Sequence, residues 1–384
     1  MIEFRPSGLT DQEELLRAEV RNFLAEELPS GSYLPELGIN AEASPDFSRR
    51  LAQRGWVGMV VPENYGGPGK SATERFLVVE ELLVAGAPIG AHWAADRQTA
   101  PTILSFGSED LKREFLPRIV KGDAFFCLGM SEPGSGSDLA SVRTKAVRTE
   151  GGWLVNGLKI WTSGAHYDDY VVTLCRTSVL EDKHAGLSQL IIDLKSDGIT
   201  VSPIRLLNGQ HHFNEVLFQD VFVPDSMVLG EIGSGWQQVT SELAYERSGP
   251  DRFLSTFPLL RYFLDFRKVG DLGAEAHHRI GALFSRYWVL RNMSLSIARS
   301  LDAGQVPAVE ATLIKDLGTS FEQHVVDVIR DLTDCEQEPD GDWFSKLLAE
   351  ATITAPTFTL RGGTNEVLRT VAAKHLLREK RRQA

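Results

Sequence analysis

Cysteine and long apolar runs are both scarce in this 384-residue sequence. The three cysteines, Cys127, Cys175 and Cys335, lie far apart and form no CxxC pair. This excludes a disulfide framework or a cysteine zinc site, and it fits a reducing, cytoplasmic environment. No apolar stretch approaches the roughly 18 residues that a membrane-spanning helix needs, so we expect no membrane span. The first residues lack a basic start followed by an apolar segment, and we therefore expect no secretory signal.

Basic side chains are outnumbered as well, with 40 Lys+Arg against 52 Asp+Glu and a net charge of −12. This balance argues against a nucleic-acid partner bound through a basic face. The one basic run, residues 374–382, ends a helical pattern, where cations complement the negative end of the helix dipole. We interpret that run as a helix terminus and not as a targeting signal.

The spacing of apolar residues divides the chain into three parts. Helical spacing dominates residues 1–120. Between residues 121 and 230, short β-branched or aromatic runs follow one another without intervening helices, which predicts an antiparallel sheet or a small barrel. Helical spacing resumes after Gly235 and continues nearly to the end, so the third part is 231–384. The predicted fold class is α+β and mainly α.

Two short motifs in the middle part have a local interpretation. Asn156-Gly157 lies between two β-type runs, a pattern that predicts a two-residue hairpin turn. Residues 134–138, GSGSD, resemble a loop that cradles phosphate. However, this stretch lacks the third glycine and the strand-to-helix context of a dinucleotide fold, and no Walker-type Gly-Lys-Ser/Thr follows. Alone, it indicates only a glycine-rich turn.

Four segments carry a shared signature when they are taken together. They are MSEPGSGSD at 130–138, NGLKIWTSG at 156–164, NEVLFQDVFVP at 214–224 and GTNEV at 363–367. In this order they resemble the acyl-CoA dehydrogenase family of flavoenzymes. The resemblance implies an N-terminal α-helical domain at 1–120, a middle antiparallel β domain with flavin loops at 121–230, a C-terminal four-helix bundle at 231–384, and FAD as the cofactor.

The resemblance also implies which residues contact the cofactor. By family position they are Leu128, Met130, Ser131, Gly136, Ser137, Trp161, Ser163, Thr364 and Glu366. Ser131 would donate to the N1–O2 edge of the flavin, where negative charge gathers on reduction. Ser163 would hydrogen-bond near N5, and Trp161 would cover a ring face. Thr364 and Glu366 would open a helix whose positive end favours the same anionic cofactor.

The implied reaction removes a proton from Cα of an acyl-CoA and transfers a hydride from Cβ to the flavin. Many family members carry the base, a glutamate, directly before the Gly-Thr of the last motif, where this chain has Gly362. Other members carry it on an earlier helix before an arginine, as in Glu246-Arg247 here. The resemblance then leaves Gly362 a backbone N–H that donates to the thioester oxygen. Arg247 would position the CoA portion or the base.

Helical spacing supports Glu246 as the base. At 100° per residue it falls in one stripe with Trp236 and Val239, whereas Gln238 falls outside. We therefore expect Glu246 to point inward, where burial raises the pKa of its carboxyl. The structural alternative is an internal ion pair between Glu246 and Arg247.

Two segments that hold a neighbouring subunit's FAD in homotetrameric relatives are altered in this chain. Residues 266–271 lack the Phe-Gly pair of an Arg-Lys-x-Phe-Gly segment, and residues 331–341 lack a Gln-x-x-Gly-Gly-x-Gly loop. We therefore expect a second homologous subunit in a heterotetramer, as in the heteromeric acyl-CoA dehydrogenases that shorten steroid side chains. An electron-transferring flavoprotein is the implied acceptor, and the acyl chain is expected to be bulky. The alternative is a divergent homo-oligomer.

Other functions stay open on the same fold. A flavin oxidase or monooxygenase would need a flavin that oxygen reaches, and Gly362 would also suit a non-catalytic stabilising subunit. A metal site is not expected. The adjacent histidines His211-His212 would point to opposite faces of a strand, and His277-His278 would diverge by about 100° on a helix.

Overall fold

The computed structural model describes residues 4, 6–29, 31–35, 37–38, 43–267, 273–305, 307–333 and 341–383, except the side chains of 242–246, 266–267 and 378–383. Helices are followed by strands and then by helices, which confirms the predicted α+β class. The helices are α1 Asp11–Glu27, α2 Pro45–Gln53, α3 Ala72–Ala85, α4 Gly90–Ala94, α5 Ala100–Phe106, α6 Glu109–Val120, α7 Gly235–Glu246, α8 Phe257–Arg267, α9 Ala274–Asp302, α10 Ala308–Leu332, α11 Trp343–Phe358 and α12 Asn365–Gln383. The strands are β1 Phe126–Gly129, β2 Lys145–Thr149, β3 Gly152–Ser163, β4 Tyr170–Arg176, β5 Leu187–Asp193, β6 Ile199–Arg205, β7 His211–Pro224 and β8 Val228–Leu229.

Contacts between residues group the chain into two compact units. The helical unit contains Met1–Ala41, Ser71–Ala87 and Ala244–Ala384, and the sheet unit contains Glu42–Lys70 and Pro88–Leu243. Helix α3 thus belongs with the C-terminal helices, whereas α2 and α4 to α6 belong with the strands.

Capping and apolar packing explain the helices of the helical unit. Helix α3 begins with a capping box in which Ser71 Oγ accepts from the Glu74 amide and the Glu74 carboxylate accepts from the Ser71 amide. Such a cap stabilises a helix by about 1 kcal/mol. Phe76 and Leu77 of α3 are buried in one apolar cluster with Leu295 of α9. Helix α10 packs against α9, α11 and α12, which gives the predicted C-terminal bundle.

The strands of the sheet unit form one sheet in the order β6-β7-β3-β2-β4-β5-β8, with β1 paired to β4. Neighbouring strands are antiparallel except for the β1–β4 pair and a single parallel pair between β2 and β4. Helix α6 covers this region through Phe115, whose ring meets Phe126 and Tyr170 edge-on at 5.4 and 5.0 Å. The sheet is therefore mainly antiparallel, as predicted, with a parallel strand added.

The predicted hairpin turn at Asn156-Gly157 is wrong. The pair lies inside the continuous strand β3, at a register shift against β7. Asn156 exchanges two hydrogen bonds of 2.9 Å with Asp220 of β7. An added Cβ on Gly157 would lie 2.4 Å from Thr144 Oγ1, so only glycine fits. Here an Asn-Gly pair forms a bulge, because the neighbouring strands approach too closely for a side chain.

Within the described residues, no helix is both long and apolar enough to cross a bilayer. Nor does any group of three or more His, Cys, Asp or Glu side chains in that part of the chain have the arrangement of a metal site.

Candidate functional site

The end of β1 and the loop after it carry the first group of predicted cofactor residues. Leu128 is half-buried on β1, and Met130 and Ser131 follow the strand. Met130 O accepts from Lys159 Nζ at 2.9 Å, and Ser131 O accepts from Ile160 N at 2.9 Å. Strand β3 therefore holds the backbone of both residues, which gives Ser131 a defined position.

A buried ion pair completes this support, and it was not predicted from the sequence. Lys159 is fully buried, and its Nζ lies 2.9 Å from Glu132 Oε1. Glu132 also accepts from the amides of Arg143 and Thr144 at 2.7 and 2.9 Å. Burial opposes ionisation of Glu132, but the Lys159 ammonium and the two amides outweigh it and lower the pKa of the carboxyl. Burial in turn lowers the pKa of Lys159.

The glycine-rich turn that follows exposes backbone donors. Glu132 and Ser135 exchange backbone hydrogen bonds of 2.9 and 3.0 Å, and Ser135 Oγ donates to Asp138 O at 2.9 Å. The amides of Gly136 and Ser137 have no acceptor among the described residues, and both residues are exposed. Nothing lies within 4 Å of where a Cβ of Gly136 would stand. Exposed amides beside open space suit the phosphates of a bound dinucleotide.

A β-bulge presents the predicted flavin-covering residue. Trp161 lies at the register shift of β3 with a φ of 60° and is 53% exposed. Its ring meets Phe213 of β7 edge-on at 5.7 Å. A left-handed conformation costs a non-glycine residue about 1–3 kcal/mol and persists only when the surroundings impose it. An exposed indole held in this way, with exposed Ser163 beside it, has the form of a platform for a flat ligand.

In the helical unit, Arg247 and Gly362 are brought together. Arg247 Nε donates to Gly362 O at 3.3 Å. Gly362 and Gly363 have φ values of 67° and 89°, so both positions favour glycine. The Gly362 amide has no acceptor within the described part of the chain, which agrees with its predicted role as a donor to substrate.

A fully buried lysine of α10, Lys315, binds the loop 359–365, and it was not predicted from the sequence. Lys315 Nζ donates to Thr359 O, Gly363 O and Asn365 Oδ1 at 3.1, 2.7 and 2.7 Å. Lys315 follows Ala311 at the spacing of the buried face of α10. A cation within an apolar helical stripe is the sequence signal that would have identified it.

The residue before Gly362 is held from a second direction. Arg361 Nη2 donates to Asp251 O, Ser255 Oγ and Glu322 Oε2 at 3.1, 2.8 and 3.1 Å. Glu322 is fully buried, and burial raises the pKa of its carboxyl although Arg361 opposes this. The loop 359–365 therefore has little freedom to move, so the Gly362 amide is held in place.

The remaining predicted residues lie at the start of α12 and at the end of α7. Thr364 Oγ1 accepts from the Val367 amide at 3.4 Å at the start of α12, and Glu366 is exposed in its first turn. Helix α7 ends at Glu246, whose side chain lies outside the described residues. The segments 266–271 and 331–341 also lie largely outside them.

One prediction about α7 is wrong. Gln238 was placed outside the inward-facing stripe, yet it is fully buried and donates to Leu229 O at 2.6 Å. The strand β8 carries Leu229 against this face of the helix, so a polar residue is buried where it caps a strand carbonyl.

Among the residues that the structure describes, neither histidine pair belongs to a group of side chains that could hold a metal ion. His211 stacks on His166 with ring centroids 3.9 Å apart, whereas His212 packs edge-on against Phe213 at 4.8 Å. His277 and His278 are both exposed on α9.

Comparison with known proteins places these features in a family. Residues 10–123 match the acyl-CoA dehydrogenase N-terminal domain, and residues 127–221 match its middle domain. The chain is 32% identical over 392 residues to acyl-CoA dehydrogenase IpdE1 of Mycobacterium tuberculosis, covering 96% of this chain and 98% of IpdE1. It is 32% identical over 373 residues to FadE34 of the same organism, covering 94% of this chain. The chain spans about half of FadE34, 51% of its length.

Two solved structures share the fold at more than a quarter sequence identity. The Tcur3481-Tcur3483 steroid ACAD has a TM-score of 0.87 and 27% identity, covering 98% of this chain and 99% of that chain. The ChsE4-ChsE5 complex from Mycobacterium tuberculosis has a TM-score of 0.81 and 29% identity, covering 96% of this chain and 97% of that chain.

Proposed function

This chain belongs to the acyl-CoA dehydrogenase family, and from that premise we propose that it binds FAD and dehydrogenates the Cα–Cβ bond of an acyl-CoA thioester. Membership of the family implies a flavin enzyme. Bound FAD would accept, at N5, the hydride that leaves Cβ.

The observation that carries the proposal is the exposed platform at Trp161. The Trp161 indole is 53% exposed, and the backbone of this residue is held in a left-handed conformation. The fold gives no reason for leaving this ring uncovered. A flavin ring would cover it, and Ser163 beside it would reach the ring edge. The amides of Gly136 and Ser137 in the same unit, which have no acceptor among the described residues, would donate hydrogen bonds to the phosphates. The chain thus has both a surface for the ring and donors for the charged part of FAD.

In this proposal Glu246 removes the proton from Cα while the hydride leaves Cβ. The Gly362 N–H donates to the thioester oxygen and stabilises the charge that develops there. Arg247 Nε donates to Gly362 O at 3.3 Å, so it holds Gly362 from the carbonyl side of the residue that carries the donor N–H. The rigid loop 359–365 supports this role, because a donor held in advance does not reorganise during the reaction.

Replacing Glu246 by Gln tests the base. In the complex with a co-expressed homologous subunit, we expect the variant to remain yellow with bound flavin and to lose turnover by about 10³-fold or more, because Gln keeps the shape and cannot accept the proton. Glu231→Gln, in the exposed turn before α7, is the matched control and should keep normal turnover. Near-normal turnover in the Glu246 variant would reject the assignment.

The substrate and the assembly form the finer part of the proposal. One similar structure is a steroid ACAD and another is a complex of two named proteins. These similarities, together with the altered segments 266–271 and 331–341, support a bulky, ring-bearing acyl chain and a second homologous subunit. An electron-transferring flavoprotein would be the acceptor.

Purification of the chain alone and with a co-expressed homologue tests the assembly. We expect little flavin in the chain alone, and bound FAD in the complex with the homologue, with fewer flavins than chains. Full flavin occupancy in a homotetramer would reject the second subunit. A panel of linear and ring-bearing acyl-CoA substrates then tests the acyl preference.

A further inference from the structure

An amide and two imidazoles form a hydrogen-bonded network next to the Trp161 bulge. Asn214 of β7 is fully buried. Its Nδ2 lies 3.0 Å from Thr162 O and 3.1 Å from His166 Nδ1, and its Oδ1 lies 2.7 Å from His211 Nε2. The His166 and His211 rings stack at 3.9 Å with an angle of 23°. The proposed chemistry uses none of the three side chains.

The Thr162 carbonyl fixes the orientation of the Asn214 amide. A carbonyl oxygen only accepts hydrogen bonds, so Nδ2 and not Oδ1 must face it. His166 Nδ1 therefore accepts from Nδ2, which requires a neutral His166 with its proton on Nε2. His211 Nε2 donates to Oδ1, and it does so whether His211 is neutral or charged. Protonation thus breaks the bond of His166 and leaves that of His211 intact.

The groups around His166 favour its neutral form. From β7 these are His211 and the Asn214 amide, and from its own turn Tyr167 meets it edge-on at 4.7 Å. Asp168 follows in the same turn, but burial raises the pKa of its carboxyl well above the usual value, so it supplies little balancing charge. Burial lowers the pKa of His166 below its usual 6.5, and the neighbouring His211 lowers it further by a smaller amount. His166 is nevertheless exposed on its other side, so protons reach it.

Asn214 connects this network to the bulge. Asn214 donates to the carbonyl of Thr162 and also pairs with Thr162 across strands β7 and β3. Thr162 directly follows Trp161. A left-handed Trp161 needs such a constraint to persist. A protonated His166 repels the Asn214 amide. Asn214 Nδ2 must then leave one of its two acceptors, His166 Nδ1 or Thr162 O.

We propose that His166 is a positioning residue: in its neutral form it holds Asn214 against Thr162 and keeps Trp161 in its exposed left-handed conformation, and its protonation releases the bulge. That the indole meets a flavin rests on the proposed function. The coupling between His166 and the bulge does not.

The fluorescence of Trp161 tests this coupling in the full chain without any activity measurement. The Trp161 contribution is the difference between a protein and its Trp161→Phe counterpart, recorded from pH 8 to pH 5. In the wild type we expect one transition with a midpoint below 6.5. His166→Gln keeps an acceptor oxygen for Asn214 and does not titrate, so it should retain the high-pH spectrum throughout. His166→Phe has no acceptor and should show the low-pH spectrum even at pH 8.

Two further variants separate charge from hydrogen bonding. His211→Gln keeps a donor and removes a neighbouring charge, so its transition should persist with a higher midpoint. His278→Gln, exposed on α9, should match the wild type.

A wild-type transition that survives in His166→Gln overturns the inference, as does a protein with no transition between pH 8 and pH 5. Circular dichroism at each pH verifies that the variants are folded, and the folded Gln variant decides the case if the Phe variant is not. If the chain shows these transitions but binds no flavin and oxidises no acyl-CoA even when it is co-expressed with a homologous subunit, the proposed function alone is rejected.

Discussion

Lys159 Nζ lies 2.9 Å from Glu132 Oε1, with the lysine side chain fully enclosed by the sheet unit. The same ammonium donates to Met130 O at 2.9 Å, so a single cation binds the backbone of the residue before Ser131 and the side chain of the residue after it. The pair is more than a contribution to stability, because it defines the position of the residue predicted to donate to the flavin edge.

Replacing Lys159 by Met should destabilise the protein by about 3–5 kcal/mol, because it leaves the Glu132 charge buried without its partner. Lys195→Met is the matched control. Lys195 is 80% exposed and lies 3.7 Å from Asp169, and such surface pairs contribute at most about 1 kcal/mol. Urea unfolding of the three proteins gives the comparison. Equal losses in the two variants would contradict the importance of the buried pair.

The same pair predicts how stability depends on acid. The pKa of Glu132 is lowered from 4.5 in the folded protein, so the unfolded chain binds this proton first as the pH falls. The stability from ionised Glu132 is therefore complete above 4.5 and is lost below it. We expect the free energy of unfolding to fall more steeply between pH 4.5 and pH 3 in the wild type than in Glu132→Gln. Parallel curves would contradict this prediction.

Replacing Lys315 by Met should loosen the loop that carries Gly362. Thr359 O and Asn365 Oδ1 each keep a second donor, the Asn365 amide and Thr319 Oγ1, but Gly363 O keeps none among the described residues. An unsatisfied buried group costs about 1–3 kcal/mol. We expect lower stability together with a fall in kcat that is larger than the change in KM. Lys374→Met, exposed on α12, serves as the control. Unchanged stability and turnover in the Lys315 variant would show that the loop does not depend on this lysine.

The buried carboxyl of Asp168 should make the stability of the protein depend on pH in the opposite direction to Glu132. Asp168 Oδ1 is buried with no partner among the described residues, and burial raises the pKa of the carboxyl well above 3.8. The folded protein therefore holds this proton to a higher pH than the unfolded chain, and the associated stability is lost as the pH rises. The stability of Asp168→Asn relative to the wild type should therefore increase as the pH rises from 4 to 8, which urea unfolding at several pH values would measure. Asp197→Asn, exposed in the turn before β6, should show no such trend.

Local patterns in the sequence were sufficient to predict the helical and strand regions. Helix α3 is encoded by its capping residues Ser71 and Glu74 and by apolar spacing, both of which act within a few residues. The strand class of the middle part follows from β-branched runs in the same way. The Asn156-Gly157 pair misled this approach, because its close neighbour Thr144 lies just before β2 and not in its own segment.

The sequence by itself determined the α+β class, the order of the helical and strand regions, and the four motifs from which the family resemblance was drawn. Only the tertiary structure decided which polar groups are buried and with what partners. Glu132 and Lys159 are 27 residues apart, and Lys315 and Asn365 are 50 apart. Strand register and helix packing bring such groups together, and apolar periodicity, which acts over a few residues, does not encode either distance.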